Sequence, residues 1–213
     1  MEPVSVIIVN YNTPGIISRA VNSICFDENV MTTYIVDNSD VGSPAYNECD
    51  LIASKSGQWP SLADIKVIHT GKNIGHGPGL NMGIEKTQTD CIIVMDSDAV
   101  LVDHTVIEEM HEAIQDENVY GAGMVVRVDN NGGNKKNGEI EYLHPYFAMF
   151  RKYEFLQHSP FINHGAPWLR TMKEISGIKK VINIPEIDKK VWHEKRKTRE
   201  IAGKSWQLNW EKA

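Results

Sequence analysis

Residues 91–100 read CIIVMDSDAV, an apolar run that ends in Asp96 and Asp98 with only Ser97 between them. Two carboxylates this close at a strand end repel and shift each other's pKa unless a cation neutralises them. Mg²⁺ or Mn²⁺ would do so, because such hard ions prefer carboxylate and phosphate oxygens. An ion held by few protein ligands keeps positions free for a diphosphate. In the plainer alternative, Asp96 and Asp98 only end a strand and cap the next helix. The pair alone does not separate the two.

The elements that must carry this pair follow from hydropathy. VSVIIV (4–9), TTYIVD (32–37), DIKVIH (64–69), CIIVM (91–95) and VYGAGMVVRV (119–128) read as strands. Between them lie helical patterns. One follows Pro14–Gly15 with Ile16, Ile17, Ala20, Val21 and Ile24 on its apolar face, and a second runs from about Gly77 to Lys86. A third covers 102–116, with Val106, Ile107, Met110 and Ile114 on one side and acids opposite. Near-continuous apolar strands alternating with helices predict an α/β fold, a mostly parallel sheet covered on both faces. Residues 129–138 are polar and turn-rich and are expected to be mobile. Beyond them the alternation weakens to a strand at 141–150, a helix around MKEIS and a short strand at 179–185.

In an open parallel sheet, ligands bind beyond the carboxyl ends of the strands. Those ends carry Asn10, Tyr11 and Asn12, then Asp37 and Asn38, then Asp96, Ser97 and Asp98. The glycine-rich GKNIGHGPGLNMG (71–83) follows the third strand, and its glycines permit close backbone approach and positive φ. Polar chemistry gathered on one edge of an apolar sheet favours a ligand site over simple strand termination.

Composition bounds the rest. At 213 residues the chain makes one domain with a tail, and no stretch reaches the eighteen apolar residues of a membrane span. Cys25, Cys49 and Cys91 are odd in number and widely spaced, which predicts reduced thiols in a cytoplasmic protein, without a disulfide framework or zinc site. The net charge of -6 conceals nine Lys/Arg against four Asp/Glu between Lys179 and Lys204. Such a basic segment suits an anionic ligand, a membrane surface or nucleic acid, or is simply a solvated tail. Composition neither requires nor excludes a homo-oligomer.

Over most of its length the chain resembles the family-2 glycosyltransferases of the GT-A fold. The resemblance rests on VSVIIVNYNTPGIISRAVNSI (4–24), YIVDNSD (34–40), NIGHGPGLNMGIEKTQTDCIIVMDSD (73–98) and, more loosely, HPYFAMFRKYEF (144–155). It implies a nucleotide-sugar donor, a UDP-sugar on family grounds, and Mn²⁺ or Mg²⁺ bound to the donor diphosphate. It places Asp96 near the ribose and metal and makes Asp98 the direct metal ligand. Asn10, Tyr11 and Asp37, with the neighbouring Asn12, match positions lining the nucleotide base pocket. Asn73, Gly75, Asn81 and Gly83 match the segment beside the nucleoside and sugar, where His76 and Ser97 join the candidates. It implies a single catalytic domain over 1–187, a donor half at 1–98 and an acceptor half at 99–187, followed by a basic tail at 188–213.

An inverting transferase, the expected outcome, needs a carboxylate to deprotonate the acceptor hydroxyl. No aspartate lies between Asp129 and Asp188, and Glu174 stands about where the family's acidic helix falls. Glu174 is therefore the candidate base, although beside Lys173 it also reads as an exposed helix residue. His193, in VWHEKRKTR, is the candidate third metal ligand; His76 and His144, taken singly, read as structural polar residues. The acceptor hydroxyl could belong to a saccharide, a glycolipid, a protein or a modified nucleic acid. Two rivals remain. A dehalogenase-like phosphatase also uses Asp-x-Asp, but on its first strand, and a nucleotide-sugar-binding module would need no base. A sugar nucleotidyltransferase is disfavoured, since the Gly-rich, Arg-containing loop expected after its first strand is missing.

Overall fold

The computed structural model describes residues 1–56 and 63–193. The first half alternates β1 (Val4–Asn10), α1 (Ile16–Ile24), β2 (Val30–Asp37), α2 (Pro44–Ala53), β3 (Asp64–His69), α3 (His76–Lys86) and β4 (Cys91–Asp96). The second holds β5 (Ala99–Leu101), α4 (Thr105–Ala113), β6 (Val119–Val128), β7 (Ile140–Arg151), α5 (Lys152–Phe155), α6 (Leu169–Ile175), β8 (Lys180–Asn183), α7 (Ile187–Lys190) and β9 (Val191–His193).

Seven strands form one sheet in the order β3-β2-β1-β4-β7-β6-β8. β1 to β4 run parallel; β7 is antiparallel to both β4 and β6, and β8 is parallel to β6. The expected mostly parallel α/β sheet is present, with β7 the reversed strand. Side chains of β1 alternate between two cores. Val4, Val6 and Ile8 pack under α1, α2 and α4, while Ile7 and Val9 pack under α3 and α6. Each buried aliphatic side chain contributes about 1.5–3 kcal/mol by leaving water, so both helix layers are held by the apolar strands.

β5 and β9 form a separate two-stranded antiparallel ladder. It is tied down on several sides. Leu101 N donates to Ser23 Oγ at 3.0 Å, and Val102 N and Asp103 N donate to Lys190 O at 2.8 and 3.0 Å. The Arg19 guanidinium lies 6.0 Å from the Trp192 ring centroid.

Two expectations are corrected. The expected boundary at 187 falls too early, because Ile187 and Val191 are buried in the core and β9 pairs with the body. The rest of the basic segment, with Trp206 and Trp210, lies outside the described residues. Residues 129–138 are folded rather than loose. Asp129 Oδ1 accepts from Asn131 N and Gly133 N at 2.9 Å, and Lys135 pairs with Asp129 Oδ2 at 2.9 Å.

Candidate functional site

The strand register assembles the site. Asn10 lies beside Asp37, Asp37 beside His69, and Val9 beside Asp96, so β1 to β4 end together in a polar row at their carboxyl edge. β5 leaves this row directly after Asp98, and its antiparallel partner brings His193 opposite Ala99. A residue 95 positions later in the chain thus reaches the strand end. His193 Nε2 stands 3.2 Å from Asp98 Oδ1 and 3.5 Å from Asp96 Oδ2. On the other side, His76 Nε2 lies 3.6 Å from Asp96 Oδ1. Asp98 is buried and Asp96 is partly open. Ser97 between them is buried.

One ligand atom from each of Asp96, Asp98 and His193 can be chosen so that all lie within 4.8 Å of one another. Two carboxylate oxygens and an imidazole nitrogen suit Mn²⁺, which accepts a nitrogen ligand more readily than Mg²⁺ does. These residues fit the implied ion. A second trio, Glu2, Cys91 and His111, also converges, at the amino edge of the sheet. There Arg151 already supplies the cation, with Nη1 at 3.0 Å from Glu2 Oε2, and burial pushes the Cys91 thiol up to about 12. That trio reads as an ion pair.

The expected base-pocket residues form one hydrogen-bonded wall. Asp37 is fully buried; its Oδ1 accepts from Asn10 Nδ2 at 2.9 Å and Ser39 N at 3.2 Å. Its Oδ2 lies 3.0 Å from His69 Nδ1, while His69 Nε2 lies 2.9 Å from Asp50 Oδ1. Tyr46 stacks on the His69 ring with centroids 3.8 Å apart. Asn12 adopts a positive φ of 50° and donates its backbone N–H to Ser39 Oγ at 2.9 Å. Tyr11, half-buried, lies between Asn10 and Asn12 just beyond β1.

Asn73 Oδ1 caps the backbone N–H of Gly75 at 3.0 Å. Gly75 has a φ of 98°, and a Cβ there would fall 2.3 Å from Asn163 Oδ1. At Gly77 a Cβ would fall 2.1 Å from the Ile162 carbonyl oxygen. Asn81 Nδ2 donates to Phe161 O at 2.8 Å and Asn81 Oδ1 accepts from Phe161 N at 3.0 Å. The glycine-rich segment therefore presses against residues 161–163 of the second half, and Asn81 acts as their clamp.

Glu174 is not brought to this edge. Its carboxylate accepts from Ser159 N at 2.9 Å and from Ser159 Oγ, with His158 Nδ1 at 3.7 Å. His158 also contacts Glu154, which Lys179 pairs at 3.2 Å. Glu154 belongs to α5, which follows Arg151, the partner of Cys91 at the start of β4. Glu174 thus joins a cluster at the amino edge. Burial works to raise its pKa, but the two Ser159 hydrogen bonds prevail and hold the carboxyl below its ordinary value. That is the wrong direction for a base. The helix position was legible in the sequence; the direction of α6, which starts with Leu169 beside Gly132 just past β6 and runs toward the edge where β8 begins, was not.

His69, Tyr46, Asn163 and Tyr146 escaped the sequence reading. His69 ends β3 as Asp37 ends β2, so the strand-end rule applies to it equally.

The comparisons agree with this geometry. Residues 5–175 match glycosyl transferase family 2, and the chain belongs to that family. The fold is that of GT-A glycosyltransferases. A mannosyltransferase, PcManGT from Pyrobaculum calidifontis, in complex with GDP-Man and Mn²⁺, superposes with a TM-score of 0.67 at 17% identity. That match covers 88% of this chain and 56% of that one. TarS from S. aureus gives 0.61 at 18% identity, over 86% of this chain and 35% of TarS. A TarS fragment spanning 1–349 gives 0.58 at 15% identity, over 86% and 58%. The chain therefore spans between about a third and three fifths of the length of these relatives. No curated protein sequence matches it. Among the described residues, no helix is long and apolar enough to cross a membrane.

Proposed function

We propose that the chain transfers a sugar from a nucleotide-diphosphate sugar to an acceptor hydroxyl, using a divalent ion held by Asp96, Asp98 and His193. The observation that carries this reading is the delivery of His193 by β9 onto the two strand-end carboxylates. Such an ion, when bound, offsets the charge that develops on a departing nucleoside diphosphate.

The remaining residues bind and orient. Asp37, held by Asn10 and His69, gives the base side of the donor a rigid wall that Tyr46 and Tyr11 flank. Asn12, Asn73, Gly75 and Ser97 line the path from that wall to the carboxylate pair, where His76 orients Asp96. Asn81 fixes the acceptor-side segment at Phe161 against the donor segment. UDP remains the nucleotide favoured by family resemblance, and the GDP-Man in the PcManGT complex makes GDP its first competitor.

The position of Glu174 supports a second reading, a module that binds a nucleotide sugar without turning it over. Titrating UDP- and GDP-sugars with and without Mn²⁺, while following donor hydrolysis, tests both. Metal-dependent binding with turnover supports the transferase, and metal-dependent binding alone supports the module. No nucleotide binding rejects both.

A further inference from the structure

We infer that Tyr146 is a positioning residue for the metal site: its ring face holds the His193 imidazole in the orientation that turns Nε2 toward both Asp98 and Asp96. This rests on the proposed metal site and adds to it a residue that does not itself touch the ion.

Three observations carry it. The Tyr146 and His193 rings are stacked, 5.0 Å between centroids and 22° between planes. Tyr146 is 2% exposed, so the shelf it offers is fixed by packing rather than by solvent. The ladder between β4 and β7 runs to Met95 opposite Phe147, which sets Tyr146 one step on, beside Asp96. The shelf and Asp96 therefore share one sheet, whereas His193 arrives on the short β9.

The geometry also says which part of Tyr146 matters. Its hydroxyl is buried and makes no hydrogen bond among the described residues. A neutral aromatic face against an imidazole restricts rotation about the histidine side chain and leaves Nε2 available. Without it, His193 would sample rotamers that aim Nε2 away from the pair. Groups that orient a ligating histidine commonly change metal affinity by about 10–100-fold when removed.

The test compares Tyr146→Phe with Tyr146→Leu, each alone and combined with His193→Ala, by titrating Mn²⁺ and Mg²⁺ in the presence of UDP or GDP. Tyr146→Phe keeps the shelf and should bind Mn²⁺ as the parent does. Tyr146→Leu should weaken Mn²⁺ about tenfold or more and Mg²⁺ much less, because imidazole suits the softer ion. In the His193→Ala background, Tyr146→Leu should add nothing further, a coupling that a merely structural tyrosine would not show. Equal losses in both backgrounds, or parental affinity in Tyr146→Leu, would overturn the inference. So would a loss in a folded Tyr146→Phe as large as that in Tyr146→Leu; this variant keeps the question decidable if the leucine variant fails to fold. A parent that binds no Mn²⁺ with either nucleotide would instead remove the metal site itself, and the inference with it.

Discussion

The two edges of the sheet gather the same residue types and use them differently. At the amino edge Glu2 and Asp90 share Arg151, Glu154 takes Lys179, and Glu174 is held by Ser159 hydrogen bonds. At the carboxyl edge Asp96 and Asp98 converge on a single imidazole, with a second imidazole behind Asp96. Pairing closes a cluster, because charge and hydrogen bonds are satisfied within the protein. Convergence of carboxylate oxygens and imidazole nitrogens on one point instead makes a donor set that suits a divalent cation. An acid–histidine cluster therefore reads as an ion pair where arginine is seated in it, as at Glu2.

The comparison breaks first at Asp98. Asp98→Asn keeps shape and removes one charge, and should lower Mn²⁺-dependent donor binding by about 100-fold or more while the protein still folds. Calorimetric titration of the donor checks it; parental affinity would return the pair to strand termination. Next, His193→Ala should weaken Mn²⁺ about 10–100-fold with little change in melting temperature. At the amino edge the pattern should invert. Lys179→Met leaves the buried Glu154 carboxylate without its cation and should cost up to about 3 kcal/mol in denaturant unfolding, with metal affinity unchanged.

The smallest effect is expected at Glu174. Loss of a general base costs about 10²–10⁴-fold in rate, whereas Glu174→Gln should leave turnover within about twofold. Its mark should be on stability. Because its folded pKa lies below the ordinary 4.5, its contribution is complete above that value and disappears as pH falls through the lower folded one. Melting temperatures of the parent should drop over that acid window more than those of Glu174→Gln. A collapse of turnover in Glu174→Gln would restore it as the base and overturn the edge assignment.

Much of this was legible in sequence. Strands at 64–69 and 119–128 coincide with β3 and β6, because β-branched runs bounded by turns leave few alternatives. The apolar face at Val106, Ile107, Met110 and Ile114 is buried as its spacing requires. Asn10, Asp37 and Asp96 meet because parallel strands with common register end together. Other parts lacked a local signal. β5 and β9 have three residues each, too few for any periodicity, so the ladder that brings in His193 was invisible although His193 itself was not. The direction of α6 has no imprint on its hydropathy, and Glu174, near its far end, was misplaced for that reason. α2 did have a signal that went unread: Ser43 caps it by accepting from Tyr46 N at 3.2 Å, and Pro44 opens it.

The β5–β9 ladder also orders events in time. Chains emerge from the ribosome amino end first, and the strands carrying Asp37 and Asp96 can pair long before residue 193 has been added. A nascent or prematurely terminated chain that stops after β8 would possess the whole seven-stranded sheet and only two of the three candidate ligands. Such a product would lack His193 together with Ile184, Ile187 and Val191, which are buried in the core. Completion of the site thereby reports completion of synthesis through β9, and in a truncation series ending between residues 183 and 193 stability should fall in step with metal affinity.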